Sequence, residues 1–241
     1  MENQTPDYTN VIQIDEADSS RKYLAKVFTW MFIGLGISAA VAFEFYGNAT
    51  LQSLLSDQTT HQLTGLGYFA IFAPVVFSFV ISFGFNRISY PVLLFLFIAY
   101  AVTTGISLSF LGLMYTAASI FGVFLSSAAV FGIMAIAGYT TQMDLSKFGS
   151  ILVMAFFAVF AVSLINFFLG SAQIEYFLSF AFVAIMIGLT AYYMQMLKRI
   201  GAGIEFGTDS AGKLVLIGAF VLYTTFINLF ISMLRIFGSR K

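Results

Sequence analysis

The sequence predicts an all-α integral membrane protein: seven transmembrane helices, six of them surrounding a central C-terminal helix. Three observations predict this. The chain is 60% hydrophobic and 9% charged, with a mean hydropathy of +0.94, whereas soluble domains are nearer half apolar and a quarter charged. Seven stretches of the 241 residues are long and apolar enough to cross the hydrocarbon, which takes about 20 residues of helix. The last stretch carries a polar stripe, and such a stripe should face other helices rather than lipid.

The composition also excludes several classes. With no cysteine there is no disulfide framework and no thiolate metal site. Eleven basic and eleven acidic residues cancel, so nothing points to nucleic acid. The expected partner by composition is the lipid bilayer.

Residues 1–22 read as a polar, cytoplasmic tail. MENQTPDYTNVIQIDEADSS has neither the basic start nor the short apolar core of a signal peptide. Residues 23–241 read as one domain. Its spans fall at roughly 27–47, 66–85, 91–113, 117–139, 148–170, 176–197 and 214–237, and only the breaks at 48–65 and 198–213 are long. With the N-terminus cytoplasmic, the inner side carries Arg21, Lys22, Lys26, Arg87, Lys147, Lys198, Arg199 and Lys213. The outer connections carry no Lys or Arg, and only Arg235, Arg240 and Lys241 fall beyond the last span. Basic residues favour the cytoplasmic side, so the expected N-terminus is inside. The three terminal cations leave two courses for the seventh segment: a full crossing, or a re-entrant path.

Small residues four apart let helix backbones approach: Gly34 with Ser38, Gly122 with Ser126, Ala128 with Gly132. Pro74 removes one backbone bond midway along the second span and should kink it. Plain packing is the first reading of each; a gating hinge at Pro74 is the second.

No acidic residue lies at the centre of a span, and His61, the single histidine, falls in an outer loop. The chain has no HExxH, no GxSxG and no Gly-rich phosphate loop before a lysine. No catalytic residue, metal site or cofactor is therefore expected, and no enzymatic reaction. What remains is uncharged polarity. Thr225, Asn228 and Ser232 share one face of the last span, Ser163 and Asn166 lie three apart, and Thr103 and Ser107 lie four apart beside Thr104. Interhelical hydrogen bonding, worth ~0.6 kcal/mol per contact, is the first reading; the lining of a narrow permeation path is the second.

Four segments then give the chain a likeness. GLTAYYMQ at 188–195, LYTTFINLF at 222–230 with LRIFG at 234–238, TGISLSFL at 104–111 and MDLSKFGS at 143–150 together resemble the Bax inhibitor-1 family, over residues 21–238. The resemblance implies six helices around a seventh in a bacterial cytoplasmic membrane. It also implies, for some members, a pH-sensitive calcium leak, and for others interaction with a membrane protease or with cell-death regulators. The leak depends on two aspartates, one after the Tyr of GLTAYD and one before the Phe of LYLDFINLF. Here those places hold Tyr193 and Thr225. Paired carboxylates can share a proton near neutral pH and can ligate Ca²⁺; a phenol and a hydroxyl do neither.

The central site expected from the likeness comprises Tyr193, Thr225, Asn228, Tyr223 and Arg87, with Tyr193 and Thr225 closing it through a neutral hydrogen bond. Arg87 has a second reading, as a positive-inside anchor. The expected function is ion homeostasis, with calcium ions the candidate cargo, or stress regulation. The alternative is an interaction protein that modulates a membrane protease or another membrane protein, through the tail and the 48–65 loop.

Overall fold

A computed structural model describes residues 16–57, 62–204 and 207–241. His61 and residues 1–15 of the expected tail lie outside the described residues. Helix α1, Glu16–Gly47, takes up residues 16–22 of that tail. The helix begins early because its first turns have a surface to pack on: Ser20 and Tyr23 are buried, the Ser20 hydroxyl donates to Lys198 O (2.9 Å), and the Tyr23 phenol donates to Leu214 O (2.9 Å). Tertiary burial, invisible to local polarity, extends the helix.

The other described helices are α2 (Ala49–Leu55), α3 (Gly65–Gly84), α4 (Tyr90–Met114), α5 (Ala117–Thr140), α6 (Ser146–Leu169), α7 (Ala172–Ala202) and α8 (Asp209–Phe237). All but α2 are long and apolar enough to span a membrane. Hydroxyl caps start several of them. Thr64, Thr116, Ser171 and Thr208 accept from the N–H of Gly67, Ser119, Ile174 and Ala211, which satisfies donors a helix start leaves orphaned. Gly170, at φ +67°, ends α6 in the left-handed region that glycine enters without strain.

Helix α8 is central. Apolar residues on every side of it are buried, among them Leu216, Ala219, Leu222, Tyr223, Phe226 and Leu229. Helices α1, α4, α5 and α7 pack directly along it. α3 packs chiefly on α4, and α6 on α7, so the ring's remaining two helices face α8 across a cavity. They meet each other edge to face at Phe72 and Phe167, 5.5 Å between ring centres.

The course of the last helix is settled by its end. α8 starts beside the first turn of α4, with Gly212 against the Tyr90 ring, and its C-terminal residues reach the opposite end of the bundle. There Tyr115 pairs with Arg240, Thr116 N–H donates to Ser239 O (3.2 Å), and the Lys241 ammonium donates to Tyr46 Oη (3.0 Å) and Gly112 O (2.6 Å). The segment runs the full height of the bundle and does not re-enter.

Only one of the three small-residue pairs is an interior contact. A Cβ on Gly34 would lie 2.9 Å from the Phe97 ring, and Ser38 is buried. Gly122 and Gly132 would meet nothing, and Ser126 and Ala128 are exposed. The close approaches fall instead at Gly105 on Ser38, Gly138 on the Ala191 backbone, and Gly149 on the Tyr192 ring. A four-residue spacing shows that two small residues share a face, not which way the face points.

Candidate functional site

Pro74, inside α3, has no N–H and so leaves the Ala70 carbonyl without its helical donor. Ser107 of α4 replaces it, donating to Ala70 O at 2.5 Å. The freed backbone group is satisfied by a neighbouring helix, as a bilayer interior requires. This ties the α3 wall to α4, and behind the wall lies a cavity of about 560 Å³ bounded by α3, α4, α6, α7 and α8.

Tyr193 on α7 and Thr225, Asn228 and Ser232 on α8 all line this cavity, together with Thr104 and Ser107 on α4 and Ser163 on α6. The structure thus brings together three of the five expected site residues. The neutral hydrogen bond between Tyr193 and Thr225 is not formed. Thr225 Oγ1 donates within its own helix to Val221 O (2.8 Å), and Asn228 Nδ2 donates to Thr224 O (2.9 Å). A hydroxyl one turn from a carbonyl finds that partner without needing a second helix. Much of the stripe therefore lines space rather than bonding helices.

The other two expected residues lie elsewhere. Tyr223 is fully buried on the opposite side of α8, between α1 and α4. With the Ser38 proton on the Ala101 carbonyl (2.7 Å), the Tyr223 phenol donates to Ser38 Oγ at 2.6 Å. It joins α8 to α1 and does not line the cavity; a helix turns 100° per residue, so two positions from Thr225 is nearly the far face. Arg87 is exposed in the α3–α4 turn, outside the cavity lining.

Two lining residues carry no signal in the last-span stripe. Thr224 is paired with the Tyr100 phenol (3.1 Å). Arg235 reaches the far end of the cavity and faces Glu175 at 3.5 Å. Its place near the helix end marked it only as a terminal cation.

GLTAYYMQ proves to be a junction. Tyr193 faces the cavity, Tyr192 covers Gly149, and Gln195 is buried. The Gln195 carboxamide accepts from Leu145 N (2.9 Å) and donates to Met143 O (2.7 Å), holding the α5–α6 connection. Arg199 completes the clasp, donating to Asp144 Oδ1 (2.9 Å) and Ser146 Oγ (3.0 Å). The Ser146 hydrogen bonds, with the Arg199 guanidinium beside it, hold the Asp144 carboxyl below its ordinary range. This clasp stays charged at neutral pH and loosens only as the pH falls through that lowered value. Two of the four quoted segments, 188–195 and 143–150, are therefore contacting surfaces of one junction.

No group of three or more His, Cys, Asp or Glu side chains that could hold a metal ion occurs among the described residues. Among the described residues no carboxylate lines the cavity.

Comparison with known proteins agrees with this architecture. Residues 20–241 match the family described as "Inhibitor of apoptosis-promoting Bax1". The chain is 39% identical to "Inner membrane protein YbhL" of Escherichia coli over 220 residues, 91% of this chain and 92% of that one. It is 34% identical to an uncharacterized protein of Borreliella burgdorferi, over 91% of this chain and 93% of the relative. It is 32% identical to one of Rickettsia prowazekii, over 98% and 99%. The family match covers the helical bundle from residue 20 onward, and the chain belongs to the Bax inhibitor-1 family.

Proposed function

We propose that this protein serves ion homeostasis, with calcium the ion, and that it does so without the pH-gated switch of its two-aspartate relatives. It catalyses no reaction of its own. Its place is a bacterial cytoplasmic membrane, with the N-terminus cytoplasmic. That orientation rests on eight cations at the end where α1 begins against three at the other, and the location on the inner-membrane relative.

One observation carries the reading. Tyr193 and Thr225, at the two positions where the family resemblance implies aspartates, stand on the wall of one cavity, on α7 and on α8. Two positions that face one cavity from separate helices support the reading, and neither holds a carboxylate. A leak through such a path has no nearby group that titrates close to pH 7: a phenol ordinarily titrates at about 10, and a hydroxyl does not titrate.

The test is calcium flux in vesicles holding the purified chain and a calcium dye. The expected leak is slow and unchanged between about pH 6 and 8. A leak that rises and falls across that window would overturn the loss of the switch. A rate equal to that of protein-free vesicles would overturn the ion role and leave the chain as a protein that modulates a membrane partner.

A further inference from the structure

The cavity is closed least well on its α3–α6 side. Phe79 and Phe83 of α3 and Phe157 and Phe167 of α6 line it on one side and are exposed on the other. α3 and α6 touch at Phe72 and Phe167 and otherwise share little packing, so in a bilayer acyl chains reach the cavity between these two helices. Its length along α8, from Phe220 to Arg235, is about 22 Å at 1.5 Å per residue. That is most of the ~30 Å hydrocarbon thickness.

Inside, one buried hydroxyl is left over. Thr104 is 4% exposed and lines the cavity. Its Oγ1 lies near the Tyr100 and Tyr223 phenols without meeting hydrogen-bond geometry to either, and it has no other partner. The Tyr100 phenol is engaged with Thr224 and the Tyr223 phenol with Ser38. The Tyr193 phenol, only partly buried, faces the same cavity. A buried polar group without a partner is uncommon and calls for an explanation, and a group facing a cavity open to lipid finds its partner in what enters.

We infer that the cavity binds an uncharged single-chain amphiphile drawn from the bilayer, whose hydroxyl or carbonyl head is hydrogen-bonded by Thr104 and Tyr193. The charge pattern selects the neutral head. Arg235, at the far end and facing Glu175, is the one charged side chain in the lining among the described residues. A charged head at the depth of Thr104 would be desolvated with no counter-charge beside it. A neutral head instead partners the orphaned Thr104 hydroxyl and the Tyr193 phenol, and its chain lies along the phenylalanines towards the α3–α6 side. About 560 Å³ falls within the range of sites for one small molecule. This inference is separate from ion homeostasis and holds whether or not the cavity conducts.

The test uses the full chain in lipid nanodiscs and a diazirine-bearing long-chain primary alcohol as photoprobe, with labelled residues located by mass spectrometry. Label is expected on cavity-facing residues such as Phe156, Phe160 and Ile227. Unlabelled alcohol should compete better than the fatty acid of equal length. Thr104→Val and Tyr193→Phe should each weaken that competition roughly five-fold, the worth of one neutral hydrogen bond. Label confined to outward-facing residues, or competition unchanged in both variants, would overturn the inference. So would a fatty acid that competes better than the alcohol and loses its advantage in Arg235→Gln, since that identifies an anionic occupant. Should a variant fail to fold, the order of alcohol and fatty acid on the unaltered protein still decides.

Discussion

Tyr193 and Thr225 stand on the wall of one cavity, in the places where the family resemblance implies aspartates. Both side chains face the cavity, on separate helices, and the two are not joined by a hydrogen bond. Their neighbours are equally neutral: Asn228, Ser232, Thr104 and Ser163 bring no charge to the middle of the bundle. Glycine does a different job at the same scale. Gly138 lies against the backbone of Ala191, next to the Tyr192–Tyr193 pair, so a side chain there must push one helix off another. Gly138→Ala should lower stability by about 1–3 kcal/mol, as overpacking does, and Gly122→Ala, with no neighbour to meet, should cost nothing measurable. Thermal unfolding in detergent reads both. A Gly138 variant that melts with the parent would contradict the assigned contact.

Among the elements, α3 and α8 mark what local sequence does and does not reveal. The apolar lengths made the spans legible, and the polar stripe of α8 made its central place legible, because lipid leaves such a stripe nowhere else to go. The start of α1 was not legible, since the burial of Ser20 and Tyr23 comes from α7 and α8. Nor was the repair of Pro74, because Ser107 and Ala70 meet only after α3 packs on α4. The full crossing of α8 was open in the sequence for a physical reason: the charge rule puts Arg235, Arg240 and Lys241 on the disfavoured side. The structure supplies the compensation. Arg235 faces Glu175, and Lys241 is held by Tyr46 and Gly112. A tag at Lys241 should accordingly be labelled in intact cells by an impermeant reagent. Labelling only after permeabilisation would contradict the crossing or its direction.

At the scale of the whole molecule, α1, α4, α5 and α7 grip α8, while α3 and α6 form a thinner outer wall around the cavity. The cavity itself was half legible. Periodicity found Thr225, Asn228 and Ser232, and the family likeness marked Tyr193. Tyr223 was misplaced because a shared motif does not imply a shared face, and Arg235 was missed because its role depends on α7. On the proposed function, the bundle carries both positions of a two-carboxylate site on one cavity wall and lacks only the carboxylates. The most direct measurement is calcium flux, from pH 6 to 8, of the parent chain beside a variant carrying both Tyr193→Asp and Thr225→Asp. A pH-dependent flux gained by the folded double variant, against a flat profile in the parent, is the predicted result. A folded double variant as flat as its parent would contradict the claim, because two acids facing one cavity would then have failed to restore the switch.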